Sequence, residues 1–290
     1  MGRMPSVLAA LDTPLSDDGE RFAPERVAPL LRFLSDRGVD GFFVAGSTGL
    51  GPLLSTEEWR LLVDEALAAG SGSLMLCNAS APSTRDTCER AEYAAQKGAH
   101  GVVVATPAAY RYEKRAVLEY FKDALKAASP APVYLYRKLG DPWGAAELES
   151  LAEAFDNLKG VKDSATQMAE HLQLIRVADL DVYQGYEALI ASSVQAGGAG
   201  PVSGLATVLP EIVADVTKAA AAGDANVWAD QDRLTRVRAV VCGTNPYAAF
   251  KALLKERGVP VGIPRRPFLP MTPEEVSSMV ETLNSLGVQL

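Results

Sequence analysis

Short apolar runs alternate with longer amphipathic stretches along most of the chain. The runs cover residues 7–11, 41–45, 73–77, 101–105, 132–136, 158–162, 181–184 and 200–203. Between them, helix-period patterns fill 24–37, 56–69, 84–97, 114–128 and 145–155. Two of these end in "DRGVDG" and "QKGAHG", with a glycine just past a basic residue, as helix C-termini prefer. "STEEW" opens another with a Ser or Thr cap and early glutamates. Strands alternating with helices predict a parallel sheet. Continuous apolar runs fit strands covered on both faces. Eight repeats in a chain of 290 residues predict a closed (β/α)8 TIM barrel, which typically needs about 250 residues. After Ser203 the pattern becomes helical from about 209 to 290, broken by "GVPVGIPRRPFLPM". That exceeds what the eighth barrel helix needs. The expected organisation is a catalytic barrel over 1–222 and a helical extension over 223–290 packed on it.

The stretch "GFFVAGSTGLGPLLSTEEW" stands out within this pattern. It reads as strand, glycine loop and capped helix, an arrangement that can cradle an anion on free amides and a helix N-terminus. The spacing G-S-T-G-L-G is not the dinucleotide fingerprint G-x-G-x-x-G, and the loop lacks the lysine of a phosphate-binding P-loop. A smaller anion, such as a carboxylate, remains, with Ser47 and Thr48 adding hydroxyls. A tight turn that binds nothing is the other reading.

Composition narrows the function. A net charge of -8 argues against nucleic-acid binding, which usually needs a basic face. It suits a cytoplasmic protein, and no apolar run approaches the ~20 residues of a membrane span. "MGRMPSVLAALDTPL" is too short in apolar residues for a secretory signal and reads as a first strand ending at Thr13. Cys77, Cys88 and Cys242 have no metal-type spacing and suit a reducing compartment. His100 and His171 lack partners at ligand spacing and read as structural or surface residues.

A barrel places its chemistry at the C-terminal ends of its strands. Those ends carry Thr13, then Gly46, Ser47 and Thr48, then Tyr136, Lys162, Gly185 with Glu187, and Ser203. A lysine pointing into a barrel mouth is desolvated, which disfavours the ammonium form and frees the amine as a nucleophile toward a ketone. The competing reading for Lys162 is a solvated strand-end lysine paired with Asp163. Tyr136 reads as a proton shuttle relayed by Thr48, or as a barrel-core aromatic.

Together with these residues, "LDTPL", "GSTGLGPLLSTEEW", "VVATPAAYRY", "PVYLY", "GVKDS", "YQGYE" and "GIPRRPFLP" resemble, in order and over essentially the whole chain, the dihydrodipicolinate synthase / N-acetylneuraminate lyase family. "GSTGLGPLLS" and "PVYLY" look closest to its 2-keto-3-deoxygluconate aldolase branch. The resemblance implies a homotetrameric Schiff-base lyase without metal or organic cofactor. Lys162 would form an imine with pyruvate or a larger 2-oxo acid, with Tyr136 and Thr48 moving the proton. Ser47, with the Gly46 loop, would hold the carboxylate, and Thr13, Gly185, Glu187 and Ser203 would line the substrate site. Glu187 would bind sugar-acid hydroxyls or simply favour a helix N-terminus.

Three departures bear on the outcome. Many relatives have Asn after the catalytic tyrosine; here Arg137 follows. The carboxylate-binding arginine of the synthases is missing from "KLGDPWG", unless Arg137 substitutes. The tyrosine that relatives send into a neighbouring subunit is replaced by alanines, with Tyr110 one step later; Tyr110 serves in its place, or that relay is absent. The expected activity is reversible aldol cleavage of a 2-keto-3-deoxy sugar acid to pyruvate and an aldehyde. Dihydrodipicolinate synthase-like condensation, dehydration through the same imine, and a barrel that binds a 2-oxo acid without turnover are the competing readings.

Overall fold

The computed structural model describes residues 4–70, 72–243 and 245–290; the first three residues of the "MGRM" stretch lie outside them. Eight parallel strands close into a barrel in sequence order. They are β1 (Leu8–Ala10), β2 (Gly41–Val44), β3 (Leu74–Asn78), β4 (Gly101–Ala105), β5 (Val133–Arg137), β6 (Leu158–Asp163), β7 (Asp181–Gln184) and β8 (Gly200–Ser203). The helices between them are α1 (Val27–Ser35), α2 (Thr56–Ala69), α3 (Thr84–Gln96), α4 (Lys114–Ala128), α5 (Ala145–Ala154), α6 (Met168–Ile175) and α7 (Ile190–Gln195), with α8 (Pro210–Ala222) after β8. Three more follow: α9 (Val227–Cys242), α10 (Pro246–Glu256) and α11 (Pro273–Ser285). Among the described residues, no helix is long and apolar enough to cross a membrane.

Alternation along the strands separates two apolar layers. Leu8, Phe43, Leu76, Val103, Tyr134, Tyr136, Tyr183 and Val202 fill the barrel interior. Residues of the opposite parity, such as Phe42, Val102, Leu135 and Val161, pack against the helices. Each such side chain that is fully buried contributes roughly 1.5–3 kcal/mol.

Two boundaries differ from the expected ones. The first helix begins as a 3-10 turn, Pro24–Arg26, before α1. The first strand leaves the ladder after Ala10, short of Thr13. Asp12 there turns to Lys251 of α10, whose Nζ donates to Asp12 Oδ1 at 2.6 Å and to the carbonyls of Thr13 and Val261. Lys251 and Asp12 are both buried, so this ion pair clamps the C-terminal helices onto the end of β1. Burial raises the Asp12 carboxyl above its ordinary range, and Lys251 opposes that.

Candidate active site

Tyr136 and Lys162 are register partners on β5 and β6. Both side chains point inward at the C-terminal end of the barrel. Lys162 is 7% exposed. Its Nζ lies 4.4 Å from the ring centroid of Phe43 and 4.4 Å from that of Tyr136. Among the described residues no carboxylate pairs with it. Asp163, its neighbour on the strand, faces the other way. There it accepts from Arg137 Nη1 at 3.2 Å and contacts His171 Nδ1 at 2.9 Å. The solvated Lys162–Asp163 pair is therefore not formed.

Phe43 meets the Tyr136 ring edge-on, at 5.8 Å between centroids. Tyr136 is thus a core aromatic and a mouth residue at once. Its phenol receives a hydrogen bond from Ser164 Oγ at 3.4 Å, and among the described residues Thr48 makes no hydrogen bond to it. Burial pushes the phenol up. Lys162, the Ser164 hydroxyl and Lys138 outweigh that, and it titrates below its ordinary value. Ser164 stands just past β6, in "GVKDS". Sequence reasoning missed it because the expected strand stopped at Lys162. Tyr247, in the first turn of α10, also stands close enough for the charge of Tyr136 to act on it. Burial first, then Tyr136, raises its phenol.

The glycine loop runs from Ala45, in the left-handed region at φ 56°, to Leu50 at the same φ. Its internal bonds are Leu50 N–H to Ser47 O and Gly51 N–H to Gly46 O. The amides of Ser47, Thr48 and Gly49 donate to no acceptor among the described residues. Gly49 brings this loop against β1. A Cβ there would lie 2.4 Å from the Leu11 carbonyl and 2.9 Å from Thr13 Oγ1. That Thr13 hydroxyl is buried without a partner among the described residues. The helix contribution to the expected cradle is absent. A 3-10 turn, Gly51–Leu53, separates the loop from α2. The α2 N-terminus is closed by its own capping box, Ser55 with Glu58.

Five other expected binding residues stand differently. Arg137 is buried behind β5, with Nε on the Trp143 carbonyl and ion pairs to Asp163 and Glu170. Its partners hold it on the face of β5 that packs against the helices, opposite to Tyr136. Glu187 Oε1 accepts from Ser203 Oγ at 2.9 Å and from the amides of Gly204 and Leu205. Its Oε2 pairs with Arg238 at 3.0 Å. Glu187 and Ser203 thus brace the turn after β8. Gly185 supplies space rather than a contact: a Cβ there would lie 2.0 Å from Ser164 Oγ and 3.0 Å from Lys162 Cε. Tyr110 is 77% exposed and meets Tyr112 edge-on, at 6.1 Å between ring centroids. The histidines are structural. His171 bridges Asp163 and Ser193 in the core, and His100 Nδ1 accepts from the Met75 amide.

A lysine and a tyrosine in register at the mouth of a closed barrel, beside a loop of free amides, is a constellation to compare with known proteins. Residues 3–286 match the model of the dihydrodipicolinate synthetase family. The chain belongs to the dihydrodipicolinate synthetase family. It is 34% identical, over 99% of this chain and 94% of the other, to an uncharacterized DapA-like lyase of Halobacterium salinarum. It is 31% identical, over 89% of this chain and 84% of the other, to the 2-dehydro-3-deoxy-D-gluconate/2-dehydro-3-deoxy-phosphogluconate aldolase of Thermoproteus tenax. The crystal structure of KD(P)GA from T. tenax superposes with a TM-score of 0.87 at 30% identity, over 98% of this chain and all of the other. A 4-hydroxy-tetrahydrodipicolinate synthase of Mycolicibacterium paratuberculosis is 29% identical over 99% of this chain and 96% of the other. This family member is a lyase of the aldolase type, and both synthases and aldolases stand among its relatives.

Proposed function

We propose that this enzyme is a class I aldolase that reversibly cleaves a 2-keto-3-deoxy sugar acid to pyruvate and an aldehyde. The observation that carries the reading is Lys162: a buried amine with no carboxylate partner among the described residues, in register with Tyr136. Lys162 Nζ attacks C2 of the 2-oxo acid, water leaves, and an iminium forms. The Tyr136 phenolate takes the proton of the C4 hydroxyl. The C3–C4 bond breaks, the aldehyde departs, and the electron pair enters the iminium to give an enamine. Protonation at C3 and hydrolysis release pyruvate and restore Lys162. The free amides of Ser47, Thr48 and Gly49 hold the carboxylate. Thr13 backs this loop. The burial of Arg137 favours cleavage over dihydrodipicolinate-type condensation, for which relatives use an arginine at the mouth. The exposed Tyr110 fits a residue covered by a second copy in a homotetramer.

Borohydride reduction in the presence of pyruvate, followed by intact and peptide mass spectrometry, tests the imine. A pyruvate-derived adduct on Lys162 is expected. No adduct on folded protein, with a related aldolase trapped in parallel, overturns the reading.

A further inference from the structure

Tyr136 has to lose a proton to act as a base, in a site where burial opposes a phenolate. The groups that face it come from three parts of the fold. Lys162 stands on β6, with Ser164 just past it. Lys138 and Asp141 stand in the loop after β5, and Tyr247 on α10. The charged members are two ammonium groups and one carboxylate. Asp141 Oδ2 is turned to the Thr106 hydroxyl at 2.6 Å and to the Lys138 amide at 2.8 Å. The Lys138 ammonium lies 5.1 Å from the Tyr136 ring centroid. It pairs with no carboxylate among the described residues. Its side chain is half-buried, so water screens it only in part.

The two cations are not equivalent. To attack a ketone, Lys162 has to be the neutral amine. At that moment it supplies no charge to Tyr136; the iminium restores one and the enamine removes it again, so the charge at Lys162 changes from step to step. Lys138 has no covalent role and keeps its charge through the cycle. We propose that Lys138 is a positioning residue that acts through Tyr136, its ammonium supplying the constant positive charge that lets the phenol part with its proton. This rests on the aldolase reading for its catalytic consequence. The electrostatic relationship itself belongs to the free protein.

The test measures that relationship first, without substrate. The ionisation of Tyr136 is isolated by ultraviolet difference titration, each protein against its own Tyr136→Phe partner, with circular dichroism following the fold. Lys138→Met keeps the stem and removes the charge; Lys138→Arg keeps the charge; Lys138→Gln stands in if Lys138→Met does not fold. Removal of the charge moves the Tyr136 ionisation to higher pH, and Lys138→Arg leaves it in place. With 2-keto-3-deoxygluconate as probe, pyruvate release at pH 7 falls by about threefold to tenfold in Lys138→Met, and the borohydride-trapped fraction of Lys162 stays unchanged. An unchanged Tyr136 ionisation in Lys138→Met, or an equal displacement in Lys138→Arg, overturns the proposal. Failure of Lys162 to trap pyruvate would instead sink the aldolase reading, and the titration would still decide the role of Lys138.

Discussion

Arg137 and Asp163 form a buried ion pair at 3.2 Å, each one residue beyond Tyr136 or Lys162 on adjacent strands. The pair lies on the outer face of the barrel, and the side chains of Tyr136 and Lys162 lie on the inner face. Asp163 also holds His171, which holds Ser193 on α7. The register that sets Tyr136 beside Lys162 is therefore fastened from behind. Removing one partner leaves a buried charge uncompensated. Asp163→Asn is expected to cost about 3–5 kcal/mol, since Arg137 and His171 both lose their acceptor charge. Arg137→Asn is expected to cost less, because Asp163 keeps His171 and the Ala165 amide. Urea unfolding of both variants measures the order, and the reverse order would mean that Glu170 is the main partner of Arg137.

Glu187 separates a bracing role from substrate binding. Its four hydrogen bonds tie the turn after β7, the turn after β8 and α9 together. Glu187→Ala strands the Arg238 guanidinium and two amides. A loss of about 3 kcal/mol in stability is expected, by the same reasoning about unpaired buried partners. The KM for a sugar acid is expected to stay within about twofold where the variant remains folded. A large rise in KM with little change in Tm would return Glu187 to the substrate site.

Arg265, in "GIPRRPFLP", forks onto both oxygens of Glu58 at 2.7 Å and reaches the carbonyls of Glu20 and Leu53. It staples the C-terminal segment to the first turn of α2 and the turn before it. The Arg265 hydrogen bonds hold the Glu58 carboxyl below its ordinary range; burial opposes this in part, and the Ser55 amide assists. The folded pKa is depressed, so this stabilisation is present above the ordinary carboxylate value near 4.3 and is lost as pH falls through the lower folded value. Arg265→Met is expected to be less stable than the wild type by about 1–3 kcal/mol at pH 7. The gap is expected to close as the pH drops below about 4. Paired denaturant melts across that range check it, and a gap independent of pH would place the loss in the carbonyl contacts.

The chain shows its barrel plainly because strands buried on both faces carry continuous apolar runs. Lys162 and Tyr136 are legible for a related reason: a polar group closing such a run has to face either a ladder or a mouth. What lies one step further is not legible. Ser164 follows β6, and its bond to Tyr136 depends on the register between two strands. Tyr247 and Lys251 reach the barrel from α10, across a separation that no local pattern encodes. From the sequence, Glu187 reads either as a sugar-acid contact or as a helix N-terminal residue, and Arg137 only as a substitute for the missing carboxylate-binding arginine. Arg137 has the opposite parity to Tyr136, and its face follows only once the strand is extended to it. The capped start of α2 was visible in "STEEW"; that its cap excludes it from the anion loop follows from the 3-10 turn between them.

Ser164 provides the sharpest test of how the phenol is prepared. It donates the hydrogen bond that Tyr136 receives from the protein, and that bond favours the ionised phenol, because a phenolate is the stronger acceptor. Burial pushes the phenol up, and Lys162, Ser164 and Lys138 together bring it below its ordinary value near 10. A base has to be deprotonated, so the rate of aldol cleavage is expected to rise with pH up to this depressed value and then level. Ser164→Ala removes one of the lowering contacts. Its rising limb is expected to move to higher pH, with turnover at pH 7 reduced by about tenfold or less. Ser164→Thr keeps the hydroxyl and is expected to keep the profile. Tyr136→Phe is expected to lose the limb altogether, with turnover down by about 10²–10⁴-fold. Lys162 should still be trapped by borohydride with pyruvate in that variant. A Ser164→Ala profile that superposes on the wild type would show that the phenol is prepared by the ammonium groups alone.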